Sequence, residues 1–273
     1  MSQDNFSGYA PGNQQFSPQP QGKSGGGSAM KIVLIIVGVL FGFGLLVCGA
    51  LALLLIPAVG SAREAAKRMQ DSNNLKMVGL AMWNYESTYK KLPAPVVLDG
   101  EGKPVYSGNV SILPFVEEVN IYNKVDFKNM QPWDSPSNSA LQGPAPMAFR
   151  SIRANDPADS NAGHVFLLST PLKQGGPNTA FSDGLYLRVS DFTDGTSNTL
   201  LAIMLVKHSQ PWAKPATLTP DEAYTLIQKE DKYVLGLFMD GSVVTLPTTI
   251  DRATFDAIVT RDGGEVADLS TIK

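Results

Sequence analysis

Cysteine and histidine are nearly absent from the 273 residues. Cys48 is the only cysteine and lies inside an apolar run. The chain therefore has no internal disulfide, no cysteine zinc site and no exposed thiol nucleophile. His164 and His208 are the only histidines, far apart and without the spacing of paired metal ligands. No Gly-x-Ser-x-Gly elbow presents a serine to either of them, so both are expected to be ordinary surface histidines. Gly25-Gly26-Gly27 and Gly175-Gly176-Pro177 lack the strand-to-helix setting and the lysine of a phosphate loop. Charge is scarce too. The first 57 residues carry only Asp4, Lys23 and Lys31, a net of +1, so of the chain's net −3 the remainder holds −4. A mildly acidic remainder argues against nucleic acid, which calls for a basic face.

What is present is a long apolar run, Ile32 to Ile56, free of charge, Asn, Gln and Pro. As a helix it reaches ~37 Å, enough to cross the ~30 Å hydrocarbon core of a bilayer. A soluble core helix keeps a polar face over such a length, and a cleaved signal peptide starts nearer the terminus with a shorter apolar stretch. The expectation is one membrane anchor. Residues 1–30, built from Gln, Pro, Gly, Ser and Asn with scattered Phe6, Tyr9 and Phe16, read as a disordered tail. Pro57 is expected to break the helix.

From Ala58 to about Lys90 the sequence is rich in helix formers, and Leu75, Val78, Met82, Tyr85 and Tyr89 recur on one stripe. Arg68 and Lys76 are assigned to the opposite side. Leu92-Pro93-Ala94-Pro95 stops the helix. A hairpin is predicted between Val96–Leu98 and Pro104–Tyr106, a short helix near Pro114, and mostly loop from Trp133 to Pro157. Strands are predicted at His164–Ser169, Gly184–Val189 and Thr199–Val206. A helix capped at Thr219 runs to about Lys229. Tyr233–Met239 and Ser242–Leu246 flank Asp240-Gly241 as a hairpin, for which a two-residue loop needs type I′ geometry. A last helix starts at Asp251, with Ile250 and Phe255 as a hydrophobic staple, and ends before Asp262.

Five stretches together resemble a large planctomycete family of pilin-like proteins, known as domain of unknown function 1559. They are Pro57–Pro95, Leu113–Asn138, Asp194–Leu201 (DGTSNTLL), Met239–Leu246 (MDGSVVTL) and Thr260–Val266 (TRDGGEV). The resemblance implies a pilin-like fold, with a long N-terminal helix on an antiparallel sheet, and an extracytoplasmic domain. It outweighs the basic residues Arg63, Lys67, Arg68 and Lys76, which alone favour a cytoplasmic domain. The chain departs from the family at three places. It has no Gly cleavage point followed by Glu at the fifth position, so retention of the N-terminal segment is expected. The position where relatives often carry His holds Glu230. The strand after DGTSNT, which usually ends in Glu, reads Ile203-Met204-Leu205 here.

The expected fold class is thus α+β: a single transmembrane helix continuing into a long amphipathic helix packed on an antiparallel sheet. The expected divisions are tail 1–30, transmembrane helix 31–57 and extracytoplasmic domain 58–273. Asp183, Asp191, Asp194 and Asp240 could supply calcium from loops, but Asp-Gly is first a turn signal, and no metal, cofactor or catalytic residue is assigned. The chain reads as a non-enzymatic, single-pass protein of the cytoplasmic membrane with its N-terminus inside. Its partners are the lipid bilayer, other envelope proteins or polysaccharide, and a second copy through Gly38-x-x-x-Gly42. The competing reading is a solute- or glycan-binding module, suggested by Trp133, Trp212 and Tyr233.

Overall fold

A computed structural model describes residues 26–170, 178–182, 185–264 and 272. The chain divides between Val59 and Gly60 into two compact units. One helix, α1 (Gly26–Tyr89), supplies the whole described part of the first unit and the opening of the second.

In the first unit, Gly27–Leu51 has a mean hydropathy of 2.9 and buries none of its surface, and is long and apolar enough to cross a membrane. α1 starts at Gly26, inside the stretch expected to be disordered, and continues through Pro57, where a break was expected. Proline deletes one backbone donor from the ladder. The long helical stretches on either side outweigh that single loss.

In the second unit, a four-stranded antiparallel meander forms the centre. Its strands are β3 (Val165–Leu167), β4 (Leu200–Met204), β5 (Tyr233–Phe238) and β6 (Val243–Pro247), adjacent in that order. A separate hairpin joins β1 (Val96–Leu98) and β2 (Pro104–Ser107). Side chains alternate between the sheet's two faces. Val165, Leu167, Ala202, Met204, Leu235 and Leu237 join the core that contains the α1 stripe. Phe166, Leu200, Ile203, Val234, Phe238 and Leu246 join a second core with α2 (Pro220–Ile227) and α3 (Arg252–Val259). Both faces are covered, so β4 and β5 read as continuous apolar runs, LLAIM and YVLGLF.

The α1 stripe holds Leu75, Val78, Ala81 and Met82, all essentially fully buried, but also the polar Asp71 and Asn74. Tyr89, expected on the stripe, is half exposed at the helix end. Arg68 is not on the opposite side. It precedes Leu75 by two turns and so shares its face, donating from Nη2 to Thr245 Oγ1. Gly79 lies where helix and sheet approach closely, since a Cβ there would lie 2.8 Å from Leu237 Cδ1 and 3.3 Å from Gly241 Cα. Trp83 Nε1 donates to Met239 O at 2.8 Å and fixes the same crossing.

The β5–β6 turn is wider than a two-residue I′ loop. Phe238 N donates to Ser242 O, Gly241 N donates to Phe238 O, and only Gly241 (φ +83°) takes the left-handed conformation. This is a three-residue loop ending in a glycine bulge. Asp240 Oδ1 accepts from Ser242 N at 2.8 Å and rigidifies it. α2 carries the expected capping box, with Thr219 Oγ1 and the Glu222 side chain each satisfying the other's backbone amide. α3 is capped by Asp251, and Ile250 and Phe255 are both buried in the second core, consistent with a staple. The strand predicted at Gly184–Val189 is not found. Residues 185–188 pair with no strand and Val189–Asp191 is a 3-10 turn, while Gly184 lies outside the described residues. Leu185 and Tyr186 are exposed there, so the run has no second face to bury.

Candidate interaction surface

The chemistry nearest the helix–sheet junction centres on Asp71. Its carboxylate is fully buried on α1. Oδ1 accepts from Ile152 N at 2.7 Å, and Oδ2 accepts from Ser151 Oγ at 2.6 Å and Arg153 Nε at 2.7 Å. Beside it His164 is buried rather than at the surface. Its Nδ1 accepts from Ser151 N at 3.3 Å, so the proton sits on Nε2, 3.0 Å from Asp156 Oδ2. Burial lowers the His164 pKa below its ordinary value, with the Asp156 and Asp71 charges opposing that shift. Serine, histidine and aspartate thus meet, but the hydroxyl donates to the carboxylate instead of to the imidazole, and Asp71, Ser151 and His164 are all closed to solvent. This wiring clamps the loop after Phe149 to α1. His208 is far less buried, and its ring lies tilted with its centre 5.1 Å from that of Phe166.

Outside this clamp the surface opens. Tyr233, at the start of β5, receives Arg153 Cζ at 4.8 Å and Arg68 Cζ at 4.9 Å over its ring. Cation–π attraction holds both guanidinium groups at one aromatic side chain. A cleft of about 800 Å³ runs from Arg68, Lys232 and Tyr233 along β6 from Ser242 to Pro247, with the buried Ile272 also in its lining. A second, of about 370 Å³, lies between the α1 residues Arg68, Met69, Asn73 and Lys76 and the strand residues Val243 and Thr245. β6 is the end strand of the sheet, and among the described residues no strand lies beyond it.

Of the three aromatic residues singled out in the sequence, Tyr233 lines the larger of these clefts. Trp212 is buried, stacked 5.9 Å from Phe149 with Nε1 donating to Gly143 O at 3.3 Å. Trp133 packs against the first core. The sequence reading missed a tyrosine patch. Tyr85 lies 4.5 Å from Tyr89 and 6.3 Å from Phe115, and Tyr122 lies 4.6 Å from Phe127, between ring centres. Lys91 Nζ sits 3.7 Å over the Tyr186 ring. Burial, reinforced by neighbouring phenols, pushes Tyr85 and Tyr106 up to about 12.

Among the described residues the Asp-Gly turns form no cluster of three or more carboxylates or histidines, and their carboxylates accept from backbone amides. Asp194 Oδ1 and Oδ2 accept from Gly264 N (2.9 Å) and Gly263 N (2.8 Å), Asp191 Oδ2 accepts from Arg188 N, and Asp240 caps its own turn. Asp183 and Gly175–Pro177 lie outside the described residues. Asp240 N also donates to Thr196 O and Asp194 N to Arg261 O, so the DGTSNT, MDGS and TRDGG stretches form one hydrogen-bonded knot. Glu230 is buried, with Oε1 accepting from Val206 N (2.9 Å) and Lys207 N (2.8 Å), and so ties down the chain just after β4. Ile203, Met204 and Leu205 fill the two cores.

The molecule is therefore an α+β domain joined to a helix long and apolar enough to cross a membrane. Residues 60–153 match a family described as a protein of unknown function (DUF1559). That stretch runs from the domain's end of α1 to Arg153, the residue that closes back on Asp71. No curated protein matches the chain. No solved structure matches it either.

Proposed function

We propose that this is a non-catalytic, membrane-anchored cell-envelope protein whose domain, pilin-like in layout, acts by contact with partners. The observation that carries the reading is the uncovered apolar helix Gly27–Leu51 in a chain whose sheet ends, among the described residues, at the cleft-lined strand β6. The sequestered wiring of Ser151, His164 and Asp71 supports a structural rather than a catalytic role. The N-terminus is cytoplasmic and residues 58–273 lie outside, in line with the pilin-like resemblance. The test is an alkaline carbonate wash of native membranes. The full chain should stay with the membrane, and a chain lacking residues 32–51 should be released. A full chain that washes off would refute the anchor.

The tyrosine patch favours a second reading, contact with envelope polysaccharide. Tyr89 and Tyr186 are about half exposed, at 50% and 47%, Tyr89 beside Tyr85 and Tyr186 beneath Lys91 Nζ. Rings of this kind combine an apolar body with a polar tip. Co-sedimentation with insoluble envelope polysaccharide should be lost in Tyr89→Ala/Tyr186→Ala. Equal sedimentation of that variant removes this reading.

A further inference from the structure

We propose that β6 is a strand-addition site that takes an extended acidic peptide segment of a partner protein. The inference rests on the partner-contact reading and names the chemistry of the partner.

The ladder shows which backbone groups are open. Phe238 N donates to Ser242 O and Thr248 N to Lys232 O, and the register pairs Val244 with Gly236 and Leu246 with Val234. In an antiparallel pair the bonded positions alternate. Ser242, Val244, Leu246 and Thr248 therefore face β5, and the N–H and C=O groups of Val243 and Thr245 point away from it. Pro247 adds an outward carbonyl but no donor, which ends the usable edge. Among the described residues this edge pairs with no further strand, and it is short, with two donors and three acceptors in register. Edge groups of this kind are a ready template for another strand.

Charge selects the occupant. Arg68, Lys232 and Lys76 line the two clefts that flank β6, and among the described lining residues Asp240 at the turn is the one carboxylate that opposes them. Two copies pairing edge to edge would bring these cations together, so a second copy of the chain is disfavoured. An incoming strand with carboxylates meets them favourably, and its charge complementarity adds speed and specificity of association. On the α1 side the strand would also meet Met69, which is 66% exposed beside Arg68 and Asn73. An alternating pattern of acidic and apolar residues fits that floor.

The probe is a capped peptide alternating valine with aspartate or glutamate, added to the full chain in detergent micelles. Its counterpart carries lysine at each acidic position. The acidic peptide should slow amide exchange at Val243 and Thr245 and leave the β5-bonded amides of Val244 and Leu246 unchanged. Thr245→Pro removes one outward donor and, with the hydroxyl, the Arg68–Thr245 bond, and should weaken binding about tenfold or more. Thr245→Val, which loses the hydroxyl alone, should bind within about twofold of the parent. Lys232→Glu, at an exposed position, should weaken it about fivefold at low salt, with a smaller salt dependence. The lysine peptide should bind at least about tenfold more weakly than the acidic one. Equal binding of the two peptides, unchanged exchange at Val243 and Thr245, or full affinity in Thr245→Pro would each overturn the proposal. So would a dimer of the full chain that Thr245→Pro dissolves, which would assign the edge to a second copy. Should Thr245→Pro lose its near-ultraviolet circular dichroism, the exchange pattern and Lys232→Glu decide. Failure here alongside carbonate-resistant anchoring would leave the anchor reading standing.

Discussion

Arg153 donates from Nε to Asp71 Oδ2 at 2.7 Å, joining two side chains that are 82 residues apart in sequence and almost fully buried. A buried ion pair is a weak source of stability in itself, but its two halves are costly to separate. Here the carboxylate also accepts from Ser151 Oγ and Ile152 N. Removing Asp71 would strand three donors in the domain interior. Asp71→Ala should cost ~3–5 kcal/mol in urea or thermal melts, a large share of a domain's ~5–15 kcal/mol margin. Asp71→Leu combined with Arg153→Met should recover about half of that loss. A single-substitution cost under about 1 kcal/mol would mean the clamp is ornamental.

Packing of α1 on the sheet makes a second prediction, graded by position. Leu75→Ala should cost ~2–5 kcal/mol, and the exposed Lys76→Ala under about half a kcal/mol. Gly79→Ala gains helix propensity but drives a methyl into Leu237 and the Gly241 backbone, for a net loss of ~1–3 kcal/mol. At Gly60 a Cβ meets nothing within 4 Å, so Gly60→Ala should stabilise by ~0.5–1 kcal/mol. Equal melts for the two glycine variants would contradict the close approach at Gly79.

Much of this arrangement was readable in advance, and the misses have physical causes. The apolar helix, both hairpins, the capping box at Thr219 and the Leu75–Val78–Met82 stripe rest on local periodicity and short-range hydrogen bonds, which one segment displays by itself. Asp71 escaped notice because a carboxylate in a charge-rich helix looks solvated. Its place four residues before Leu75, on the stripe, was the available signal. Its partners come from residues 151–153, and no local pattern announces a pairing that distant. Arg68 stands two full turns before Leu75 and so shares its face, but as an exposed cation it breaks the apolar pattern by which the stripe is recognised. Trp212 looked exposed among prolines, although Phe149 and the Gly143 carbonyl bury it. Glu230 was noted only as a departure from relatives, whereas its role depends on the chain end after β4 folding back over it.

Titration should expose the buried groups from both sides. His164 has a folded-state pKa below its ordinary 6.5, so the unfolded chain binds a proton first as pH falls. Its neutral form contributes stability fully above about 6.5, and that contribution is lost as pH drops toward the folded value. Melts at about pH 7 and about pH 5 should show a loss that His164→Gln reduces. Tyr85 and Tyr106, pushed up to about 12, hold their protons longer folded than unfolded. Their contribution is present below about pH 10 and is lost as pH rises toward 12. Ultraviolet difference titration of phenolate should therefore show late-ionising tyrosines that Tyr85→Phe and Tyr106→Phe remove. Titration of all tyrosines together near their ordinary value, in folded protein, would contradict the packing of the patch.

The central claim is a helix that crosses the membrane and carries the α+β domain to the outside. It is tested most directly by fusing, after Lys273, a reporter enzyme that works only once exported, and in parallel one that works only in the cytoplasm. The account predicts activity from the exported reporter and silence from the cytoplasmic one, with exported activity abolished when residues 32–51 are deleted. An active cytoplasmic reporter with a silent exported one would place the domain inside the cell and contradict the account.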